Sequence, residues 1–233
     1  MTDPDLRLPW LAGVRVLDLS DSLAGRYASR LLMDAGAAVT YCDTEPVEVD
    51  LAATGGSSAA ATALLDLLQD GAEVCDEAGA RSGLNEAHIV LCGGRSWSRF
   101  HIEQKAQQRP DLTVVAITDS GLTGPMAGQQ LDACLRQAVS GSLYWRGDPE
   151  RPPVMAGGEV EQYLAGAYAS AAAVAGLRQA RRTGVGEVFD LSLLEVCNIG
   201  LTTFGATLAS MFGRLGEDFP RRSVQIPAIE RTR

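Results

Sequence analysis

The sequence of 233 residues has very little lysine and histidine: Lys105 is its only lysine, and His88 and His101 are its only histidines. Neither histidine has a second ligand-type residue at a metal-binding spacing. The five cysteines are far apart and form no C-x-x-C pair. This pattern predicts neither a metal site nor a disulfide framework. Because acidic side chains outnumber basic ones by 29 to 20, we also expect no nucleic-acid partner.

Several other signals are missing. No uncharged apolar run reaches the roughly 18 residues that a membrane-spanning helix needs, and the first ten residues lack the basic and apolar regions of a secretion signal. The sequence therefore predicts a cytoplasmic protein without a membrane partner. It also lacks the G-x-S-x-G elbow of serine hydrolases and the glycine-rich phosphate motifs of nucleotide-binding proteins.

Short apolar runs bounded by glycine, serine and aspartate alternate with longer helical patterns along the chain. This alternation is typical of the α/β class with a parallel sheet. We predict strands at 14–19, 37–42, 88–92, 112–118 and 188–191. We predict helices at 24–35, 63–68, 97–108, 131–143, 162–182 and 193–212.

Two charged groups near the long alanine-rich helix leave alternatives open. Glu159 and Glu161 precede it, where they either stabilise the helix dipole or act as an acid and base. The last turns of this helix contain Arg178, Arg181 and Arg182. These arginines either form a solvent-exposed helix end or bind a phosphate. Position along the chain does not decide between these functions.

Five sets of motifs follow one another in a characteristic order. They lie at 11–19 with 23–25 and 31–37, at 112–125, at 137–141, at 147–149, and at 182–187 with 190–195. The last set reads R-T-G-V-G-E followed by D-L-S-L-L-E. In this order the motifs resemble those of the family III CoA-transferases, the CaiB/BaiF group that includes formyl-CoA transferase and α-methylacyl-CoA racemase.

This resemblance implies a Rossmann-like large domain with a parallel sheet and flanking helices, in subunits that interlock as dimers. It implies that coenzyme A or acyl-CoA is the substrate, without a metal, and that CoA passes between carboxylates through an aspartate at the start of the alanine-rich helix. The resemblance also implies two loops that contact CoA. Their residues are Leu23, Ala24, Gly25, Gly121, Gly124 and Pro125.

The sequence departs from the family pattern at the nucleophile. Gln162 occupies the position of the aspartate, just before Tyr163, and a neutral carboxamide cannot form the acyl anhydride. Glu161 is one residue away, but one helical step is a rotation of about 100°. A second departure follows the second predicted strand, where residues 43–50 are acidic and the cations expected to meet CoA phosphates are missing.

The third departure is length, because family members continue into a smaller second domain. We predict a large domain at 1–212 and a linker at 213–233 that leads toward a small domain absent from this chain. The leading hypothesis is a CoA-transferase-like subunit that has lost its own nucleophile and works as a homo-oligomer or with a complementary small-domain chain. The alternatives are an active transferase that uses Glu161, Glu159 or a partner chain, and a non-catalytic binding or scaffold remnant.

Overall fold

A computed structural model describes residues 9–42, 47, 49, 57–146 and 151–202 of the chain. Within these residues, six parallel strands form one sheet in the order β3-β2-β1-β4-β5-β6. The strands are β1 Arg15–Leu19, β2 Ala38–Cys42, β3 Glu73–Cys75, β4 Ile89–Cys92, β5 Thr113–Thr118 and β6 Val188–Ser192. The predicted α/β class with a parallel sheet is confirmed.

Helices connect the strands. They are α1 Leu23–Asp34, α2 Ser58–Gln69, α3 Glu77–Gly83, α4 Gly94–Arg99, α5 Ile102–Gln108, α6 Ala133–Val139, α7 Val160–Thr183 and α8 Leu193–Val196. Short 3-10 turns lie at Pro9–Leu11 and Ser142–Trp145, and a π-helical turn at Cys197–Leu201 follows α8.

The sheet is the middle of three layers. Because side chains alternate along a strand, Ile89 and Leu91 of β4 face one side, while Val90 and Cys92 face the other. The first side packs against α1 and α7. The second packs against residues of α3, of α5 and of the segments between them, including Phe100. The central strands are therefore buried on both faces, which explains their continuous apolar runs.

Helix α7 lies close to α1 because the middle of its buried face carries small side chains. Ala165, Ala169 and Ala173 are buried on this face, next to Gly166. A Cβ atom on Gly166 would lie 2.6 Å from the carbonyl oxygen of Ala24 in α1. The first turns of the two helices are in contact for this reason, and Tyr163 also packs edge-on against Tyr27 of α1 at a centroid distance of 5.0 Å.

Two helix predictions were wrong in their bounds, and a third was wrong in part. The helix expected at 97–108 is two helices, α4 and α5, because His101 adopts a left-handed backbone with φ of 52°. The helix expected at 131–143 ends at Val139, before Gly141 turns the chain with φ of 81°. In the helix expected at 193–212, Leu193–Val196 is α-helical and Cys197–Leu201 is a π-helical turn, while residues 203–212 lie outside the described part.

Other differences concern short elements and the chain beyond residue 202. Strand β3 and helix α3 were not predicted, and α2 extends further at both ends than the predicted 63–68. The proposed division into a domain at 1–212 and a linker at 213–233 stays a prediction, because residues 203–233 lie outside the described part. The acidic residues 43–46, 48 and 50 lie outside it as well.

We predict that Gly166→Ala destabilises the protein. The added methyl group would meet a backbone carbonyl rather than a movable side chain, and such overpacking costs about 1–3 kcal/mol. The gain in helix propensity of up to about 1 kcal/mol offsets this only in part. Urea unfolding should show the loss in free energy of unfolding.

Gly157→Ala is the control, since no atom lies within 4 Å of a Cβ at that position. We expect it to change the free energy of unfolding by no more than about 0.5 kcal/mol. Equal stability of the Gly166→Ala variant and the wild type would contradict the close approach of α1 and α7.

Candidate functional site

The direction of the connections reverses between β1 and β4, the two strands at the centre of the sheet. From β1 the chain crosses to β2 and β3 on one side, whereas β4 leads to β5 and β6 on the other. Ligands of open parallel sheets bind at the carboxyl edge of such a switch point. Here the edge is formed by the segment 20–23 after β1 and by Gly93 and Gly94 after β4.

A buried carboxylate fixes the segment after β1. Asp18 is fully buried and accepts hydrogen bonds from the Ser20 backbone and hydroxyl at 2.8 and 2.5 Å and from the Ser29 hydroxyl at 2.8 Å. Arg26 of α1 forms an ion pair with it at 2.6 Å. This guanidinium group also stacks on the ring of Tyr41, 4.8 Å from its centroid. Asp18 therefore ties the segment after β1 to α1 through Ser20, Arg26 and Ser29.

Gln162 contacts this same turn. It lies in the first turn of α7, it is 8% exposed, and its Oε1 accepts a hydrogen bond from the Ala24 backbone at 3.1 Å. Leu23, Ala24 and Gly25 are buried in the first turn of α1. The structure thus brings one of the two predicted CoA loops together with Gln162, the residue predicted to stand at the nucleophile position.

Glu161 points elsewhere. Its side chain is fully buried and pairs with Arg136 of α6 at 3.2 Å, while Gln137 donates to its other oxygen at 3.4 Å. Arg136 also pairs with Asp119 after β5 at 2.9 Å. The buried carboxylate is one reason why the pKa of the neighbouring Cys197 thiol is raised to about 11, although burial of the thiol is the larger cause.

The second predicted CoA loop follows β5, two strands away from β1. Gly121 and Gly124 have φ of 91° and 94°, and such left-handed conformations favour glycine. Gly121 donates to Thr118, and the Leu122 backbone donates to both carboxylate oxygens of Asp190 in β6 at 2.9–3.0 Å. Pro125 is exposed. This loop is linked to the start of α7 through Asp119 and Arg136, rather than through a direct bond to Gln162.

Sequence reasoning missed two arginines at the carboxyl edge. Arg95 and Arg99 of α4 line a cleft at the ends of β1 and β2, with Ser20 and Cys42 on its other walls. Their side chains are 51% and 39% exposed. Asp21 holds Arg95 at 2.8 Å, and Glu77 holds Arg99 at 2.5 Å. The signal that could have revealed them is the glycine pair directly after a buried strand, followed by arginine.

The arginines at the end of α7 lie at the other edge of the sheet. Gly186, which follows the helix, donates its backbone N–H to Pro110, just before β5 begins. Arg178, Arg181 and Arg182 are exposed there, in the last turns of α7, whereas Gln162 lies in its first turn. They are therefore not part of the site at the carboxyl edge.

Comparison with known proteins identifies the family. The sequence profile of CoA-transferase family III matches residues 11–65 and 90–226, most of the chain. The chain belongs to CoA-transferase family III. Succinate–glutarate CoA-transferase of Agrobacterium fabrum is 28% identical over 228 residues, which cover 84% of this chain and 54% of that protein. The β subunit of succinyl-CoA–L-malate CoA-transferase from Chloroflexus aurantiacus is 27% identical, covering 79% of this chain and 49% of that subunit.

This family III chain spans about half the length of the curated relatives that it matches. A CaiB/BaiF family protein from Brucella suis has the same fold, with a TM-score of 0.72 at 23% identity over 91% of this chain and 60% of that one. The Rossmann-like fold predicted from the resemblance is thus confirmed. Among the described residues, no helix has the length and apolarity needed to cross a membrane, and no cluster of three metal-ligating side chains occurs.

We predict that Asp18→Asn strongly destabilises the protein, because it leaves the buried Arg26 guanidinium without a counter-charge. Breaking a buried ion pair on one side costs about 3–5 kcal/mol. The matched control is Asp34→Asn, which removes a pair with Arg30 whose carboxylate is 51% exposed and should cost at most about 1 kcal/mol. If urea unfolding gives both variants the same stability, the Asp18 charge does not hold the turn.

Proposed function

We propose that the chain is a CoA-binding subunit or half-enzyme of a family III CoA-transferase that carries glutamine where the family has its nucleophile. The observation that carries this proposal is the contact of Gln162 with Ala24. The carboxamide oxygen accepts the backbone hydrogen bond that a carboxylate at this position would also accept. The first turn of α7 thus presents a hydrogen-bond acceptor to α1, but the carboxamide is not a nucleophile.

The reaction in question moves CoA between two carboxylates. An enzyme carboxylate attacks the thioester carbonyl of an acyl-CoA, which forms a mixed anhydride and releases the CoA thiolate. The thiolate then attacks the enzyme's own carbonyl carbon, which gives an enzyme thioester and frees the original acid. The first step needs an ionised carboxylate and the second needs the anhydride that this carboxylate forms, so a chain with Gln162 depends on a carboxylate from elsewhere.

Glu161 is a poor substitute on physical grounds. It is fully buried, and Arg136 and Gln137 occupy its two oxygens. To attack a thioester, Glu161 would have to break its buried ion pair with Arg136 and its hydrogen bond with Gln137. These observations support a role of Glu161 in holding α7 to α6.

Trapping with hydroxylamine tests whether residue 162 is the nucleophile position. We predict that the wild type, incubated with succinyl-CoA and hydroxylamine, forms no hydroxamate on residues 160–183, whereas Gln162→Asp forms one at residue 162. Hydroxylamine traps an enzyme acyl anhydride or thioester as a stable adduct, and peptide mass spectrometry locates it. Gln162→Asn is the size-matched neutral control and should remain unmodified.

Two results would overturn the proposal. A wild-type hydroxamate on Glu161 that Glu161→Gln abolishes would identify an active transferase with a relocated nucleophile. Absence of any adduct in Gln162→Asp, in a protein that still binds CoA, would show that residue 162 is not the nucleophile position.

The phosphates of CoA require cations, and Arg95 and Arg99 are our candidates for them. Both guanidinium groups face the cleft at the switch point, where parallel sheets bind their ligands. Arginine presents several donors in a planar fork, so one group can hold a carboxylate and a phosphate together. Asp21 and Glu77 would then orient the arginines rather than block them.

We predict that Arg95→Gln and Arg99→Gln each weaken CoA binding about fivefold in isothermal titration calorimetry, as expected for about 1 kcal/mol from a partly exposed charged contact. The control is Arg182→Gln at the opposite edge of the sheet, which should bind CoA like the wild type. Unchanged affinity in both cleft variants, or an equal loss in the control, would contradict this site.

A further inference from the structure

Two cysteines lie side by side on neighbouring strands near the cleft. Cys42 ends β2, Cys75 ends β3, and the two are register partners in the parallel pair. Register partners point to the same face of a sheet, and both side chains belong to the cluster that packs on the α3 side.

The spacing of the strands suits a covalent link. Neighbouring strands lie about 4.7–4.9 Å apart, inside the range of about 4.4–6.8 Å between Cα atoms that disulfides span. Other thiols in the described residues lack such a partner in the register: Cys92 lies opposite Leu19 and Ala116, and Cys134 is exposed on α6.

We propose that Cys42 and Cys75 form a reversible disulfide when the folded protein meets a small-molecule disulfide such as oxidised glutathione. This inference does not depend on the proposed CoA-transferase function. It adds a modification site that ties the edge strand β3 to β2 beside the cleft, since Cys42 lines that cleft.

The exposure of the two thiols sets the order of the steps. Cys75 is half-buried and Cys42 is buried, so the Cys75 thiolate attacks glutathione disulfide first. This forms a Cys75–glutathione mixed disulfide and releases one reduced glutathione. The Cys42 thiolate then attacks the Cys75 sulfur, which forms the Cys42–Cys75 bond and releases the second. Two protein thiols are oxidised, and one glutathione disulfide is reduced.

The reaction should be slow near neutral pH. Burial and the neighbouring Cys42 raise the pKa of the Cys75 thiol to about 11, and only the thiolate reacts. Below that pKa the thiolate fraction grows about tenfold for each pH unit. We therefore expect the rate of disulfide formation to rise steeply between pH 7 and pH 9.

The test uses the full chain with Cys134→Ser, which removes the exposed thiol, in native buffer with oxidised glutathione. We expect non-reducing peptide mass spectrometry to find a Cys42–Cys75 linked peptide that dithiothreitol removes. Cys42→Ser in the same background should stop at the Cys75 mixed disulfide, and Cys75→Ser should leave Cys42 as a free thiol. Circular dichroism of each variant would establish that it is folded.

Absence of the linked peptide in the folded protein at pH 9 would overturn the proposal. A linkage that forms only above the unfolding temperature would overturn it too, because it would then reflect the unfolded chain rather than the β2–β3 register.

Discussion

The close approach of α7 to the first turn of α1 is the contact on which the candidate site depends. Gly166 and Gln162 are one helical turn apart and face the same turn of α1, at Ala24. The missing side chain at Gly166 lets the backbones approach, and Gln162 then reaches the Ala24 amide. The packing of small residues thus allows the hydrogen bond between Gln162 and Ala24, which no local sequence pattern predicts.

Buried charges hold the loops around this contact. Asp18 anchors the turn after β1 through Arg26 and two serines, and Arg136 joins the loop after β5 to the start of α7 through Asp119 and Glu161. In a buried environment such groups must be paired. The loops therefore have little freedom to move independently, and both are tied to the first turns of α1 and α7.

The buried half of this fold was predictable, because β1, β2, β4 and β5 are apolar runs that only a sheet covered on both faces accommodates. Strand β3 was not predictable, because Glu73 and Val74 are both exposed at the sheet edge. The strand therefore shows no alternation of apolar and polar residues in the sequence. At the site, the pair of Arg95 with Asp21 spans 74 positions of the chain. Such a pair follows from the strand order, which the sequence shows only indirectly.

Two helix N-termini meet at the position of Gln162, because the side chain in the first turn of α7 contacts the first turn of α1. Helix N-termini favour negative charge by about 0.3–1 kcal/mol each, so an aspartate here would stay ionised and ready to attack. Glutamine keeps the acceptor oxygen for the Ala24 amide and gives up the charge. The contact between α7 and α1 therefore needs only a hydrogen-bond acceptor, which Gln162 supplies. Nucleophilic attack would need a carboxylate at this position, which Gln162 does not supply.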